Sequence, residues 1–282
     1  MFSFFHDLLE FRFLQYSLLT ALLCSVSCGV IGSFAVVRRS TYIAGAIAHS
    51  VMGGLGFARY MKTVAGWEWM TPAVGAFLAA MLSSAIITYS TLRNKERIDT
   101  VLSAIWAIGM AIGITFLVAT PGYSEDLMSY LFGDILMVSR YDLFAMLGLD
   151  ILIILIVAFT YDRLLAVSFN PQLALLKGLN VAFYEALFIF LTGLTVVLLV
   201  RIVGIILVIA LITLPPATAG RLTQKLSQMI WYAIGFSLLY TIGGLVISYA
   251  PGLPAGPTMI EFGVVIYGVI SILTWKRNRK RT

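Results

Sequence analysis

Tyr42-Ile43-Ala44-Gly45-Ala46-Ile47-Ala48-His49-Ser50-Val51-Met52-Gly53-Gly54-Leu55-Gly56, continuing mostly apolar to Met61, is the stretch that decides how this chain is read. Its length matches the roughly 20 residues that an α-helix needs to cross a hydrocarbon core. His49 sits near its middle. An ionisable side chain at that depth is costly, about 2.5 kcal/mol or more when charged, and so faces a bundle interior or a polar cavity rather than lipid. Two readings follow. The imidazole is either hydrogen-bonded to a neighbouring helix or lines a permeation path, where a neutral imidazole is a common transition-metal ligand.

The rest of the chain places that stretch among others of its kind. Of 282 residues, 60% are hydrophobic and 11% charged, against about a quarter charged in soluble domains. Nine apolar stretches of spanning length are expected, near 14–37, 42–61, 71–92, 100–119, 141–161, 182–200, 202–219, 229–249 and 258–275. The first is too long, and too poor in basic residues at its start, for a cleaved signal peptide, so it is expected to remain as a helix. The fold class is all-α: a polytopic membrane bundle of about nine spans, a single transmembrane domain over 1–282 with no room for a soluble catalytic domain.

With the N-terminus outside and the spans alternating, Arg38, Arg39, Arg93, Lys95, Arg97, Arg163, Lys177, Arg221, Lys225, Lys276, Arg277, Arg279, Lys280 and Arg281 fall on one side. Arg12, Arg59, Lys62, Arg140 and Arg201 are left outside or near the opposite ends. The positive-inside rule makes the crowded side cytoplasmic. The net charge of +6 is therefore topological. The basic tail suits anionic lipid head groups, and nothing points to nucleic acid.

Two connections depart from simple hairpins. Residues 127–137 are apolar but too short to cross, which predicts a re-entrant or interfacial helix. The long cytoplasmic connection 161–181 contains Asn170-Pro171-Gln172-Leu173-Ala174-Leu175-Leu176-Lys177-Gly178, with an N-cap residue, a proline at the first helical position and a terminating glycine. It predicts a short amphipathic helix of the kind that docks into another protein's groove. Gly109-x-x-x-Gly113 and the glycines at 53, 54, 56, 243 and 244 predict close helix packing. Cys24 and Cys28 share one face of the first span, where packing is the favoured reading over a metal site or a disulfide. Pro215-Pro216 predicts a kink or a stop in the seventh span.

Several chemistries are absent. No Gly-x-x-x-x-Gly-Lys-Ser/Thr loop occurs, so the chain does not hydrolyse ATP by that route. With His6 and His49 its only histidines, and no intramembrane carboxylates paired at catalytic spacing, a membrane hydrolase is poorly supported. Asp150, Glu185, Glu261 and Asp134 are the other ionisable groups expected at depth. Asp150 and Glu261 fall in the outer half, where either joins His49 around a cation or pairs with Arg140 or Arg201.

Several blocks together resemble the ABC transporter permeases that take up zinc, manganese and iron. They are Arg39-Ser40-Thr41-Tyr42-Ile43-Ala44-Gly45-Ala46-Ile47-Ala48-His49-Ser50, Arg97-Ile98-Asp99-Thr100, Tyr130-Leu131-Phe132-Gly133-Asp134-Ile135-Leu136, Asn170-Pro171 with Gly178-Leu179-Asn180, Arg201-Ile202-Val203-Gly204, Leu214-Pro215-Pro216-Ala217-Thr218-Ala219 and Leu253-Pro254-Ala255-Gly256-Pro257-Thr258. They run in family order along nearly the whole chain. The resemblance implies a permease subunit in a bacterial plasma membrane, without a cofactor of its own. A cytoplasmic ATP-binding subunit, an extracytoplasmic metal-binding protein and a second permease chain are the implied partners. It further implies that His49 is the pore histidine and that Pro171, Leu175, Lys177 and Gly178 belong to the segment coupled to the ATPase. Two positions depart from the family: an aspartate four residues before the histidine is here Gly45, and another before the Leu-Pro block is here Gly252. Glu261 stands where it can replace the missing charge as a metal ligand. A permease for a metal chelate, and a proton-linked carrier using His49 and Glu261, remain as alternatives.

Overall fold

The computed structural model describes residues 7–8, 10–93, 97–121, 131–133, 135–249 and 251–279, with side chains to 275. Among the described residues nine long helices carry the fold: α1 (Arg12–Val37), α2 (Thr41–Thr63), α3 (Pro72–Arg93), α4 (Ile98–Ala119), α5 (Arg140–Phe169), α7 (Val181–Val203), α8 (Ile205–Leu222), α9 (Leu226–Tyr249) and α10 (Ala255–Arg279). A six-residue helix, α6 (Pro171–Leu176), stands between α5 and α7.

Eight of the nine are long and apolar enough to cross a membrane by composition. The ninth is α2, the histidine-bearing helix. Its residues are small or polar at Gly45, Ser50, Gly53 and Gly56, and these positions are buried together with Ile43 through Met52. A helix enclosed by protein needs no apolar surface toward lipid, so its hydropathy falls while its place in the bundle holds.

Three expectations are corrected by the helices themselves. The fifth span does not end near 161; α5 runs 30 residues to Phe169, about 45 Å at 1.5 Å per residue, longer than a hydrocarbon core of roughly 30 Å. Nothing from Tyr161 to Ser168 breaks a helix. The stop comes at Asn170, which a following proline excludes from helical geometry and which is extended at φ −150°. The connection to α7 is correspondingly shorter. Pro215-Pro216 does not stop α8, which continues to Leu222. Pro216 can give the Ile212 carbonyl no hydrogen bond, and that carbonyl lies against Gly32 of α1, where a Cβ would collide with it. The expected short helix over 127–137 falls partly outside the described residues, which omit 122–130 and Asp134. In the described part, helix ends at Phe132, Gly133 turns left-handed at φ +63°, and the chain does not stay helical through Met137.

The chain forms two compact units, each assembled from separated segments. One unit holds α1, the first two-thirds of α5 and α8 to α10. Gly29 of α1 packs on the backbone of Ile234, Gly244 of α9 packs on Met259 of α10, and the Thr218 and Tyr240 hydroxyls meet at 2.7 Å. Gly204, at φ +81°, is the single residue joining α7 to α8. It lies back to back with Gly133, and a side chain on either would enter the other's backbone.

The second unit holds α2, α3, α4, the end of α5, α6 and most of α7. Here α2 is gripped from two sides. A Cβ on Gly53 would lie 2.8 Å from the Gly109 carbonyl oxygen, and one on Gly56 would lie 2.6 Å from that of Gly113. The expected Gly-x-x-x-Gly contact thus has α2 as its partner. On the other side Gly54 and Gly75 approach so closely that neither admits a side chain. Gly54→Val should therefore overpack the α2–α3 contact, at about 1–3 kcal/mol or more, and lower the thermal stability of the detergent-extracted protein. Gly235→Ala, at a helical position with nothing within 4 Å, is expected to leave it unchanged.

Candidate functional site

His49 lies mid-way along α2, 7% exposed. Its ring stacks face to face on the indole of Trp106 in α4, centroids 4.2 Å apart and planes 16° from parallel. Nδ1 is buried without a hydrogen-bond partner. The neighbouring Ser50 does not serve the ring, because its hydroxyl donates to the Ile47 carbonyl at 2.7 Å. One turn earlier, Gly45 is buried and contributes no ligand.

The other described acidic groups that the sequence places at depth belong to the unit that does not contain His49, apart from Glu185. Glu261 is exposed near the start of α10 and belongs to the unit that does not contain His49. Asp150, also in that other unit, is 3% exposed, and both its carboxylate oxygens are buried without a partner. The expected pairing of Asp150 with an arginine is not made: Arg140 donates instead to the Tyr16 hydroxyl at 2.6 Å. Cys24 and Cys28 of α1 are buried free thiols in the same unit. The Ser27 hydroxyl donates within its own helix, to the Leu23 carbonyl at 3.2 Å, and is the polar side chain within reach of the Asp150 carboxyl group. Among the described residues no three His, Cys, Asp or Glu side chains come together as a metal-binding group.

A groove of about 510 Å³ runs between α2, α3 and α4, lined by Phe57, Leu78, Leu82, Ile86, Ile108 and Ile112 above a floor that includes Gly53 and Gly109. Ser50 and Ser83 are its only polar side chains. It suits hydrocarbon and offers a cation nothing, so the candidate site is the His49 ring edge.

Between α5 and α7, α6 forms as its sequence predicts. The Asn170 side chain accepts from the Leu173 amide at 2.9 Å, Pro171 occupies the first turn, and Gly178 closes the helix at φ +78°. Leu173, Leu175 and Leu176 are exposed, as is Lys177, while Ala174 is buried. The helix thus turns its leucines outward. Arg163 of α5 donates to the Tyr184 hydroxyl of α7 at 3.0 Å, clamping the two helices that carry the loop.

Trp106 escaped the sequence reading, since one tryptophan inside a span reads as lipid-facing or core until its neighbour is known. The orphaned state of Asp150 was equally invisible, because a partner's position depends on packing.

Eight helices long and apolar enough to span define a multi-pass membrane protein. The chain belongs to the ABC 3 transport family, which matches residues 10–274. It is 37% identical over 259 residues to an uncharacterized membrane protein of Synechocystis, covering 92% of this chain and 90% of that one. It is 34% identical over 275 residues to a manganese transport system membrane protein of Listeria innocua, covering 97% and 95%. A chain in the structure of PsaBC from Streptococcus pneumoniae in complex with a Fab superposes with a TM-score of 0.82 at 29% identity, covering 95% of this chain and 94% of that one.

A carboxyl group buried without a counter-charge costs several kcal/mol if it stays ionised, and neutralises otherwise. Asp150→Asn, which keeps the shape and removes the ionisable group, is expected to match or exceed the wild type in thermal stability in detergent. Loss of stability would show that the carboxylate has a stabilising partner.

Proposed function

We propose that this chain is the membrane-spanning permease subunit of an ATP-driven importer for a divalent transition metal, in a bacterial plasma membrane. Manganese is the first candidate cargo, because relatives at 31% to 34% identity carry manganese transport in their names. The observation that carries the reading to a site is His49, a buried imidazole with an unpartnered nitrogen in the middle of α2. Conduction needs sites weak enough to release the ion, and a lone imidazole is such a site. Glu261, exposed on α10, is proposed as an auxiliary ligand or an entry charge.

ATP hydrolysis belongs to a separate cytoplasmic subunit in this reading. Pro171, Leu175, Lys177 and Gly178 form the coupling segment, supported by the outward leucines of α6 and by the Arg163–Tyr184 clamp beneath it. An extracytoplasmic metal-binding protein delivers the ion, a second permease chain completes the path, and lipid surrounds the whole.

His49→Ala removes a ligand and little volume. It is expected to abolish metal uptake in cells while leaving the complex at normal abundance; wild-type uptake at normal abundance would remove the residue from the mechanism. In the coupling segment, Leu175→Asp combined with Lys177→Glu should uncouple transport and weaken co-purification of the ATPase, with the permease still in the membrane. Unchanged ATPase association would count against that assignment.

A further inference from the structure

A metal-binding histidine ordinarily donates its second ring nitrogen to a carboxylate or carbonyl, which fixes the ring's orientation and tautomer. His49 has no such partner: Nδ1 is buried and meets no acceptor. What fixes the ring lies on its face. The Trp106 indole covers it at 4.2 Å and 16°.

We propose that Trp106 is the positioning residue of the transport path, holding the His49 imidazole by stacking where other metal sites use a hydrogen bond. The inference rests on the reading of His49 as a path residue. Both ring nitrogens bind ligands in the plane of the ring, so a stack on the face restrains the imidazole and leaves its edge free for an ion. A hydrogen bond from a neighbouring acceptor would occupy one of those edge positions.

The backbone is built to allow this stack. Three residues beyond Trp106, Gly109 lies so near α2 that a Cβ would fall 2.7 Å from the His49 carbonyl oxygen and 2.6 Å from the Ser50 Cα. That approach brings α4 close enough for an indole to lie flat on the ring. Trp106 is 38% exposed, so the indole covers the imidazole without being sealed in a core. Stacked aromatic pairs attract beyond the area they bury, which favours the ring orientation that keeps the stack.

The test uses the full chain and exploits its having two histidines. In a His6→Gln background, ring-labelled histidine gives a single resonance, that of His49. The stacked indole should displace its Hε1 signal upfield, Trp106→Leu should abolish the displacement, and Trp106→Phe should keep part of it. Metal uptake should fall roughly tenfold or more in Trp106→Leu, the range for loss of an orienting partner, with complex abundance unchanged, and Trp106→Phe should restore most of it. Should Trp106→Leu fail to assemble, Trp106→Met takes its place, the thioether being able to fill an irregular gap.

A resonance that does not respond to Trp106→Leu overturns the stack. Normal uptake in Trp106→Leu, alongside lost uptake in His49→Ala, overturns the positioning role and leaves the reading of His49 intact. Normal uptake in His49→Ala overturns both.

Discussion

The contact on which the candidate site depends is backbone against backbone. Inside a bilayer, lipid is as apolar as leucine, so helices gain little from hiding apolar surface from each other and associate through close packing and polar contacts. The α2 helix shows the consequence. Gly53 and Gly56 admit the carbonyls of Gly109 and Gly113, and Gly54 meets Gly75 on the other side. Small residues on three helices let α2 be enclosed by protein, and enclosure is what lets it carry a histidine and a serine at bilayer depth. If side chains filled those positions, the helices would separate, lipid would reach His49, and the cost of a polar ring in hydrocarbon would fall on the fold.

The other unit reuses the device for a different end. Gly204 alone separates α7 from α8, and its left-handed backbone rests on that of Gly133, itself left-handed. Gly256 adds a third bare backbone there, its absent Cβ leaving room for the Phe132 carbonyl. In α8 two consecutive prolines cannot donate to Leu211 and Ile212, and Gly32 lets α1 approach the second of these carbonyls. Gly32 thus serves the close approach of the two helices at that point.

Two buried ionisable groups illustrate how surroundings separate function from structure. Asp150 is sealed at 3% exposure with neither oxygen partnered, an arrangement that costs stability and offers no opening for an ion. His49 is also buried and its Nδ1 also lacks a hydrogen bond, yet an aromatic ring lies on its face. Burial alone would have ranked the two together.

The sequence by itself determined the class of fold, the number of long helices and the short helix between α5 and α7, because each rests on local physics: the length of an apolar run against the bilayer thickness, and the capping of α6 by Asn170, Pro171 and Gly178. It also marked His49, since an ionisable residue in an apolar run stands out without any knowledge of neighbours. Only the tertiary structure decided what surrounds that residue. The place of Trp106 on His49, the partnership of Gly109 with Gly53, the passage of α8 through Pro215 and Pro216, and the isolation of Asp150 all depend on which helix lies beside which. Residues on different helices carry no local signal of their meeting; packing sets it, through the few positions where a missing side chain lets two backbones touch.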